Sequence, residues 1–397
     1  MAFPPARVTA MLGEEVKRVT GRDFRINGEL SIRLLPTLSV VANDVALSNA
    51  DWGTRPEMVT LQHVAFEIAL LPLLDGEIRI LSIKVKGADV FLETDGKGRF
   101  NWMFTSSEAK AGKHDASMPV IDPERLTLSG MRIAYRDAEK GTVRGVTIEK
   151  LEMQLQGNQV EISAALEFEH QRWQVDGQMG RLAGLLASEA NWPFELRFVT
   201  AGAKLLASGK IGSEKGVRTD RAELSLQISG VEALSALFAS DVMLPLPLDM
   251  SATLLRTSDS IRADPLRVAH AGQEMNGQIT VLGSGDNLRV EGQLSSPLIE
   301  VERWFVAKPL PATAAAKGTA QLFGDAPLPF AALPTTPLQL DFRVDQLLLP
   351  GVSPLSAVSG QLKVEPNLLV INPLSLTVEG GHLRGRIEVV QHAGAAP

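Results

Sequence analysis

Apolar and polar residues alternate through most of this 397-residue chain. Leu126, Leu128, Met131 and Ile133 alternate, or nearly so, with polar neighbours, as do Leu224, Leu226 and Ile228. The same holds for Leu338, Leu340, Phe342 and Val344, and for Leu374, Leu376 and Val378. In 383–389, Leu383, Ile387 and Val389 face one way while Arg384, Arg386 and Glu388 face the other. A period of two is the signature of antiparallel strands with one wet and one dry face. The breaks between them are turn-formers: Asp95-Gly96, Gly98, Gly141, Gly157-Asn158, Gly283 and Gly285-Asp286-Asn287. About twenty such strands, spaced about 4.8 Å apart, make a sheet on the order of 90 Å long. An open sheet beyond about ten strands curls, so the expected body is a long, curved antiparallel strip.

Helical spacing is rare. Arg7–Val19 carries Val8, Met11, Leu12, Val16 and Val19 on one face, with Gly21 as a stop. Shorter candidates are Arg181–Ser188, Val231–Ala239 and Ile299–Val306. The fold class is therefore mainly β, with a short N-terminal helix and a few short helices.

One unit recurs. Pro265, Leu266, Val268, Gly272, Gly277, Ile279 and Val281 return at identical offsets as Pro373, Leu374, Leu376, Gly380, Gly385, Ile387 and Val389. One hairpin design is used twice, each copy extending the sheet. Thr105–Pro123, polar and of mixed charge, and Ala307–Pro337, rich in Ala and Pro, read as loops.

A sheet with a continuous apolar face must cover it, and four short helices are too few. Either the sheet folds on itself as a sandwich or barrel, the commoner solution, or the dry face lines a groove for an apolar ligand. Periodicity does not separate the two.

Reactive chemistry finds no foothold. The net charge of −7 argues against nucleic acid as a partner. Cysteine is absent, which removes thiolate metal sites and Cys nucleophiles. His63, His114, His170, His270, His382 and His392 are scattered without ligand spacing. No nucleophile elbow or P-loop occurs, and Gly283-Ser284-Gly285 lacks the third glycine of a dinucleotide site. The carboxylates lie on polar strand faces, where a catalytic pair does not stand out. The expectation is a protein that is not an enzyme, with no metal and no cofactor. Met1–Arg7 holds no apolar core of a signal peptide, and no apolar run reaches about 18 residues, so the chain as it stands reads as soluble.

The N-terminal stretch resembles the AsmA family of bacterial envelope proteins. The likeness is carried by Thr20-Gly21-Arg22, Ile26-Asn27-Gly28-Glu29-Leu30, Leu34-Leu35-Pro36-Thr37-Leu38, Asn43-Asp44-Val45 and Leu47-Ser48-Asn49-Ala50. It continues in Trp52 with Pro56, in the run from Leu70 to Ile78, and in Gly98-Arg99-Phe100-Asn101-Trp102. Further on it runs through Leu126–Asp137, Asp176-Gly177, Leu182–Leu186 and the two Pro-Leu units. The order and spacing of the pieces are specific; no single piece is.

The resemblance implies a β-rich periplasmic body with an elongated hydrophobic groove, related to chorein-type bridge-like lipid transfer proteins. It further implies an inner-membrane anchor, which would precede Arg7 and is missing here, and a part in moving phospholipid or in outer-membrane homeostasis. The chain is shorter than many members, so a complete bridge between membranes does not follow. On this reading residues 1–104 form an N-terminal β unit with a leading helix, 105–123 a polar loop and 124–215 a middle groove segment. Residues 216–306 form a first C-terminal repeat unit, 307–337 a linker and 338–397 a second repeat unit.

The expected function is non-catalytic: acyl chains of phospholipid or another lipid lie along the dry face. The lining is then Leu126, Leu128, Ile133, Leu224, Leu226, Ile228, Val268, Ile279, Val281, Leu340, Phe342, Leu374, Leu376, Val378, Ile387 and Val389. The alternative is an assembly factor for outer-membrane proteins, binding envelope partners through an exposed sheet edge or face. The low aromatic content, 5% with one tyrosine, suits aliphatic contacts better than sugar stacking.

Individual features carry two readings each. The helix Arg7–Val19 either caps the groove end near a membrane or protects the first strands from aggregation. Thr20-Gly21-Arg22 ends the helix, with Gly21 left-handed, or Arg22 meets a lipid headgroup. Asn101-Trp102 closes the N-terminal unit by packing Trp102; Trp52, Trp173, Trp192 and Trp304 are packing residues too.

Overall fold

The computed structural model describes residues 5–75, 77, 79–104, 122–139, 141–186, 191–214, 217–218, 220–231, 233, 245–283, 287–304 and 336–390. The chain divides into two compact units, Met1–Ala201 and Gly202–Pro397. Both are mainly β, as the alternation predicts.

The first unit opens with α1 (Pro5–Thr20), whose end is capped by Gly21 at φ 70° with its N–H on the Lys17 carbonyl at 2.8 Å. β1 (Phe24–Ile26) and β2 (Leu30–Arg33) both pair with β3 (Leu38–Ser48). The sheet then runs through β4 (Glu57–Ile68), β5 (Ile80–Glu93), β6 (Arg125–Asp137), β7 (Thr142–Gln156), β8 (Gln159–Phe168), β9 (Gln171–Gly180) and β10 (Trp192–Thr200). Two single-turn helices interrupt it, α2 (Leu70–Leu74) and α3 (Leu182–Leu186).

The second unit runs β11 (Ala203–Ile211), β14 (Asp220–Ile228), β15 (Leu248–Arg256), β16 (Ser260–His270), β17 (Gln273–Leu282) and β18 (Arg289–Glu300). It continues through β19 (Leu338–Leu348), β20 (Leu355–Glu365), β21 (Leu368–Val378) and β22 (Gly381–Val390). A two-residue ladder, β12 (Ser213–Glu214) with β13 (Val217–Arg218), extends the turn after β11. A last helical turn, α4 (Val301–Trp304), follows β18.

The sheet departs from the antiparallel expectation at two joins. β5 and β6 are parallel, and so are β18 and β19. A hairpin cannot connect parallel neighbours; the chain must cross back over the length of a strand. Thr105–Pro123 and Ala307–Pro337 lie almost wholly outside the described residues, and each spans one of these joins. The two stretches without alternation are thus where the topology demands a crossover.

The helix expectations meet mixed outcomes. Arg181–Ser188 forms only Leu182–Leu186, and Ile299–Val306 only Val301–Trp304 within what is described, because Ile299 and Glu300 still pair with Leu347 and Leu348 in the sheet. Val231–Ala239 falls almost wholly outside the described residues. The turn at Leu70–Leu74 was not predicted as helix; its Pro72 and short length hide it from periodicity.

The imperfect alternation at Leu128–Met131 has a physical cause. Gly130 adopts φ 61°, Gly87 beside it φ 59°, and Asp44 two strands away φ 50°. In β7 the register shifts between Ile148 and Lys150. Each strand carries one extra residue at this level, as in a β-bulge, so the apolar positions step by three: Ala42 to Val45, Leu128 to Met131, Ile148 to Leu151. The step keeps the set on one side, and Leu30, Ala42, Val45 and Val64 form one cluster with Val40, Leu61, Phe66 and Val85 packed against it.

Candidate functional site: the dry face in the two units

Residues directly opposite on neighbouring strands share a face, so the registers show where each apolar residue lies. In the first unit Ala42, Val64, Val85, Leu128, Leu151, Ala164, Val175 and Phe198 form one continuous row. Leu126 lies in the next row with Phe66, Ile83 and Met153, and Ile133 in another with Val90 and Val146. The three proposed lining residues of this unit are therefore on its dry face.

The second unit gathers the others. Leu224, Ala252, Leu266, Gly277, Leu294, Phe342, Gly360, Leu374 and Gly385 follow one another across nine strands. Ile279, Gly292, Leu340, Leu362, Ile371 and Ile387 make a second row, and Val281, Val290, Leu338, Val364, Leu369 and Val389 a third. Leu226 with Val268, and Ile228 with Leu248, continue the face on the other side. Leu376 opposes Leu383, and Val378 opposes Leu355.

The sequence repeat explains why these rows are continuous. Leu266 and Leu374 occupy the same row, as do Gly277 and Gly385, Ile279 and Ile387, and Val281 and Val389. Pro265 and Pro373 each follow a cis peptide bond, and the register shifts at each. Both hairpins turn through two residues of positive φ, Ala271-Gly272 and Glu379-Gly380. The repeated unit thus sets its side chains at a constant height in the sheet.

Glycines interrupt the first row at Gly277, Gly360 and Gly385 and the second at Gly292, and close approach requires all but Gly385. A Cβ on Gly277 would stand 1.9 Å from the Gln293 carbonyl oxygen, whereas at Gly385, on the last described strand, nothing lies within 4 Å.

Among the described residues, the exposure of the face speaks against a sandwich or barrel. A second sheet packed about 10 Å away would bury it. Of the sixteen proposed lining residues only Ile228 is buried; Ile387 is 44% exposed and the rest are half-buried. The opposite face is charged and wet. It carries same-strand ion pairs such as Arg262–Asp264 at 2.6 Å, Arg289–Glu291 at 3.2 Å and Lys363–Glu365 at 2.6 Å, and an Arg386–Glu388 pair. Exposed pairs of this kind contribute about 0–1 kcal/mol each; they mark the solvent side more than they stabilise it. Across strands, Arg267 reaches Glu274 at 2.8 Å. That hydrogen bond, with one from Asn276, holds the Glu274 carboxyl below its ordinary range.

At the rim of the first unit's sheet sits a buried polar knot that sequence reasoning only half saw. Glu93 and Asn101 are fully buried. The Glu93 carboxylate accepts from Asn49 Nδ2 at 2.7 Å, from the Thr54 N–H at 2.9 Å and from Thr54 Oγ1 at 2.8 Å. Arg136 lies 3.6 Å away. Asn101 Nδ2 donates to Asn49 Oδ1 at 2.9 Å and to the Phe91 carbonyl at 2.8 Å.

Arg22 donates to the carbonyls of Asn49 and Asn101 at 3.1 and 3.2 Å. Those bonds tie the helix exit to the closing turn, which gives the guanidinium a part in the fold. It is Asn101, not Trp102, that closes the unit. Trp102 remains 36% exposed against Phe100 and Tyr135. Trp173 and Trp192 are packing residues as expected, and Trp304 donates to Gln273 Oε1 at 2.7 Å. Glu93 carried one signal in the sequence: a charge directly after the apolar run Val90-Phe91-Leu92.

The imidazoles of His63, His270 and His382 meet Asn43 Oδ1, the Pro247 carbonyl and Thr377 Oγ1 respectively. Among the described residues no cluster of three His, Asp or Glu side chains is placed to hold a metal ion. Among the same residues no helix is long and apolar enough to cross a membrane.

Comparison with known proteins agrees with the N-terminal likeness. The model of the AsmA family matches residues 1–253. Protein AsmA of Escherichia coli (strain K12) is 22% identical over 146 residues, covering 34% of this chain and 22% of that protein. The match thus spans about a fifth of the relative's length. No solved structure matches the chain. With the family model covering more than half of its residues, the chain belongs to the AsmA family.

Proposed function

We propose that this protein binds and transfers phospholipid in the bacterial envelope, holding acyl chains along the dry face in its two units without catalysing a reaction. The observation that carries this reading is the half-exposed state of the aliphatic rows in the second unit, centred on Leu340, Leu362 and Ile371. Family membership supports the envelope setting, and the periplasm with an inner-membrane anchor is part of the same proposal. The mechanism is passive. Removing an acyl chain from water is worth about 0.8 kcal/mol per buried CH₂, so two chains supply ample driving force, and headgroups stay at the wet rim. Direction of transfer would come from a gradient or a partner outside this chain.

Site-specific photo-crosslinking tests the assignment. A photoreactive residue in place of Leu340 should form adducts with phospholipid in cells, and one in place of the neighbouring, exposed Gln339 should not. Adducts at both positions, or at neither, contradict the proposal.

A second reading has one observation in its favour. β22 has no strand on its outer side among the described residues, and Leu383, Ile387 and Val390 on it are exposed. An envelope protein adding a strand there would make this chain an assembly factor. Protein adducts at Leu383, instead of lipid, would favour that reading.

A further inference from the structure

Two neighbouring connections in the first unit carry strongly exposed leucines. β2 runs out into Leu34-Leu35-Pro36, and β4 leads into α2. Leu35 is 81% exposed, Leu71 78% and Leu34 58%. The two connections lie side by side, because Leu38 at the start of β3 pairs with Ile68 at the end of β4. Neither motif takes part in the dry-face rows or the buried knot.

We propose that these two tips dock on the surface of a neutral phospholipid bilayer, seating Leu34, Leu35 and Leu71 at the boundary between headgroups and acyl chains. Two features favour this partner. The two connections and their flanks carry Arg33 and Arg79 against Glu67, Asp75, Glu77 and Glu124, and Arg79 pairs with Glu124 at 2.5 Å, so no basic cluster stands there among the described residues. The docking force is therefore apolar and does not need an anionic surface. The leucines project from two separate turns, and a fluid bilayer accepts such projections where a protein partner would need a matching hollow.

The tips also continue the apolar face. Leu30 opposes Ala42 and Ile32 opposes Val40, both in dry-face rows, and Leu34 extends that side past the strand end. An acyl chain leaving the bilayer at the tips would meet apolar surface throughout its path to the sheet. That last step rests on the lipid-carrying reading; the docking itself does not.

The test is flotation of the full chain with vesicles of phosphatidylcholine alone, and with an equal mixture of phosphatidylcholine and phosphatidylglycerol. The wild type should float with both. The double variant Leu35→Ser, Leu71→Ser should bind at least tenfold more weakly to both, since each serine removes an inserting side chain. Leu35→Phe with Leu71→Phe should keep binding, which separates insertion from any loss of fold. Unchanged flotation of the serine variant overturns the proposal, as does a wild type that floats only with the anionic mixture or not at all. Lipid carried by the purified protein is measured separately. If it is missing while the tips still drive flotation, the carrier reading fails and the docking stands.

Discussion

Glu93 and Asn101 are joined twice: the Glu93 N–H donates to Asn101 Oδ1 at 3.0 Å, and the Asn101 N–H donates to the Glu93 carbonyl at 3.0 Å. The pair fastens the turn after β5 onto the strand's own last residue. It also brings the Asn101 amide against Asn49, and Asn49 against the Glu93 carboxylate. One end of the first unit is thus locked by a polar pair, Glu93 and Asn101, that has no access to water.

Replacing Asn101 with Ala would strand the Glu93 N–H and the Phe91 carbonyl without partners and leave Asn49 Oδ1 with the Ala50 N–H alone. A buried polar group left unsatisfied costs about 1–3 kcal/mol, so Asn101→Ala should destabilise the protein by about 2–4 kcal/mol in urea unfolding. Trp102→Ala, at a partly exposed ring, should cost about 1 kcal/mol. A larger loss for Trp102 would restore it as the closing residue.

The repeat offers a paired experiment. Gly277→Ala places a methyl group against the Gln293 carbonyl and should cost at least about 2 kcal/mol. Gly385→Ala, at the equivalent position of the second copy, meets open space and should change stability by less than about 0.5 kcal/mol. Equal costs in thermal or urea unfolding would contradict the register placed here between β17 and β18.

Glu274 gives a pH dependence. Arg267, then Asn276, stabilises its charged form, so its pKa in the folded protein lies below the ordinary 4.5. The unfolded state therefore takes up the proton first as pH falls. The contribution is full above pH 4.5 and is lost as pH falls from there through the folded pKa. The group is exposed, so the effect is small and screened by salt. Glu274→Gln should show a shallower fall in urea midpoint below pH 4.5 than the wild type. Parallel curves would mean that the Arg267 contact is not populated in solution.

Much of this fold was legible because period-two alternation is a direct record of which face is dry. Spacing alone puts Leu340 with Phe342 and Leu374 with Leu376, and the registers put both pairs on one face. The Pro265 and Pro373 units pointed to matching hairpins before any register was known. Where alternation stumbles, at Gly130, the cause is an extra residue with positive φ, a glycine in β5 and β6 but Asp44 in β3. Two things were not legible. Parallel pairing depends on where the chain returns after a crossover, and nothing in Leu126–Ile133 records its neighbour's direction. The polar knot depends on Asn49, Thr54, Glu93 and Asn101 meeting across long sequence separations, and a single buried Glu reads in sequence like any surface carboxylate.

Native mass spectrometry with lipid extraction, on protein purified gently from bacterial envelopes, tests the central claim most directly. The account predicts co-purifying phospholipid in roughly stoichiometric amount, lost when Leu340 and Ile371 on the dry face are both changed to Asp in a variant that still folds. A stable protein that carries no lipid would mean that its dry faces are covered by protein, and would contradict the account.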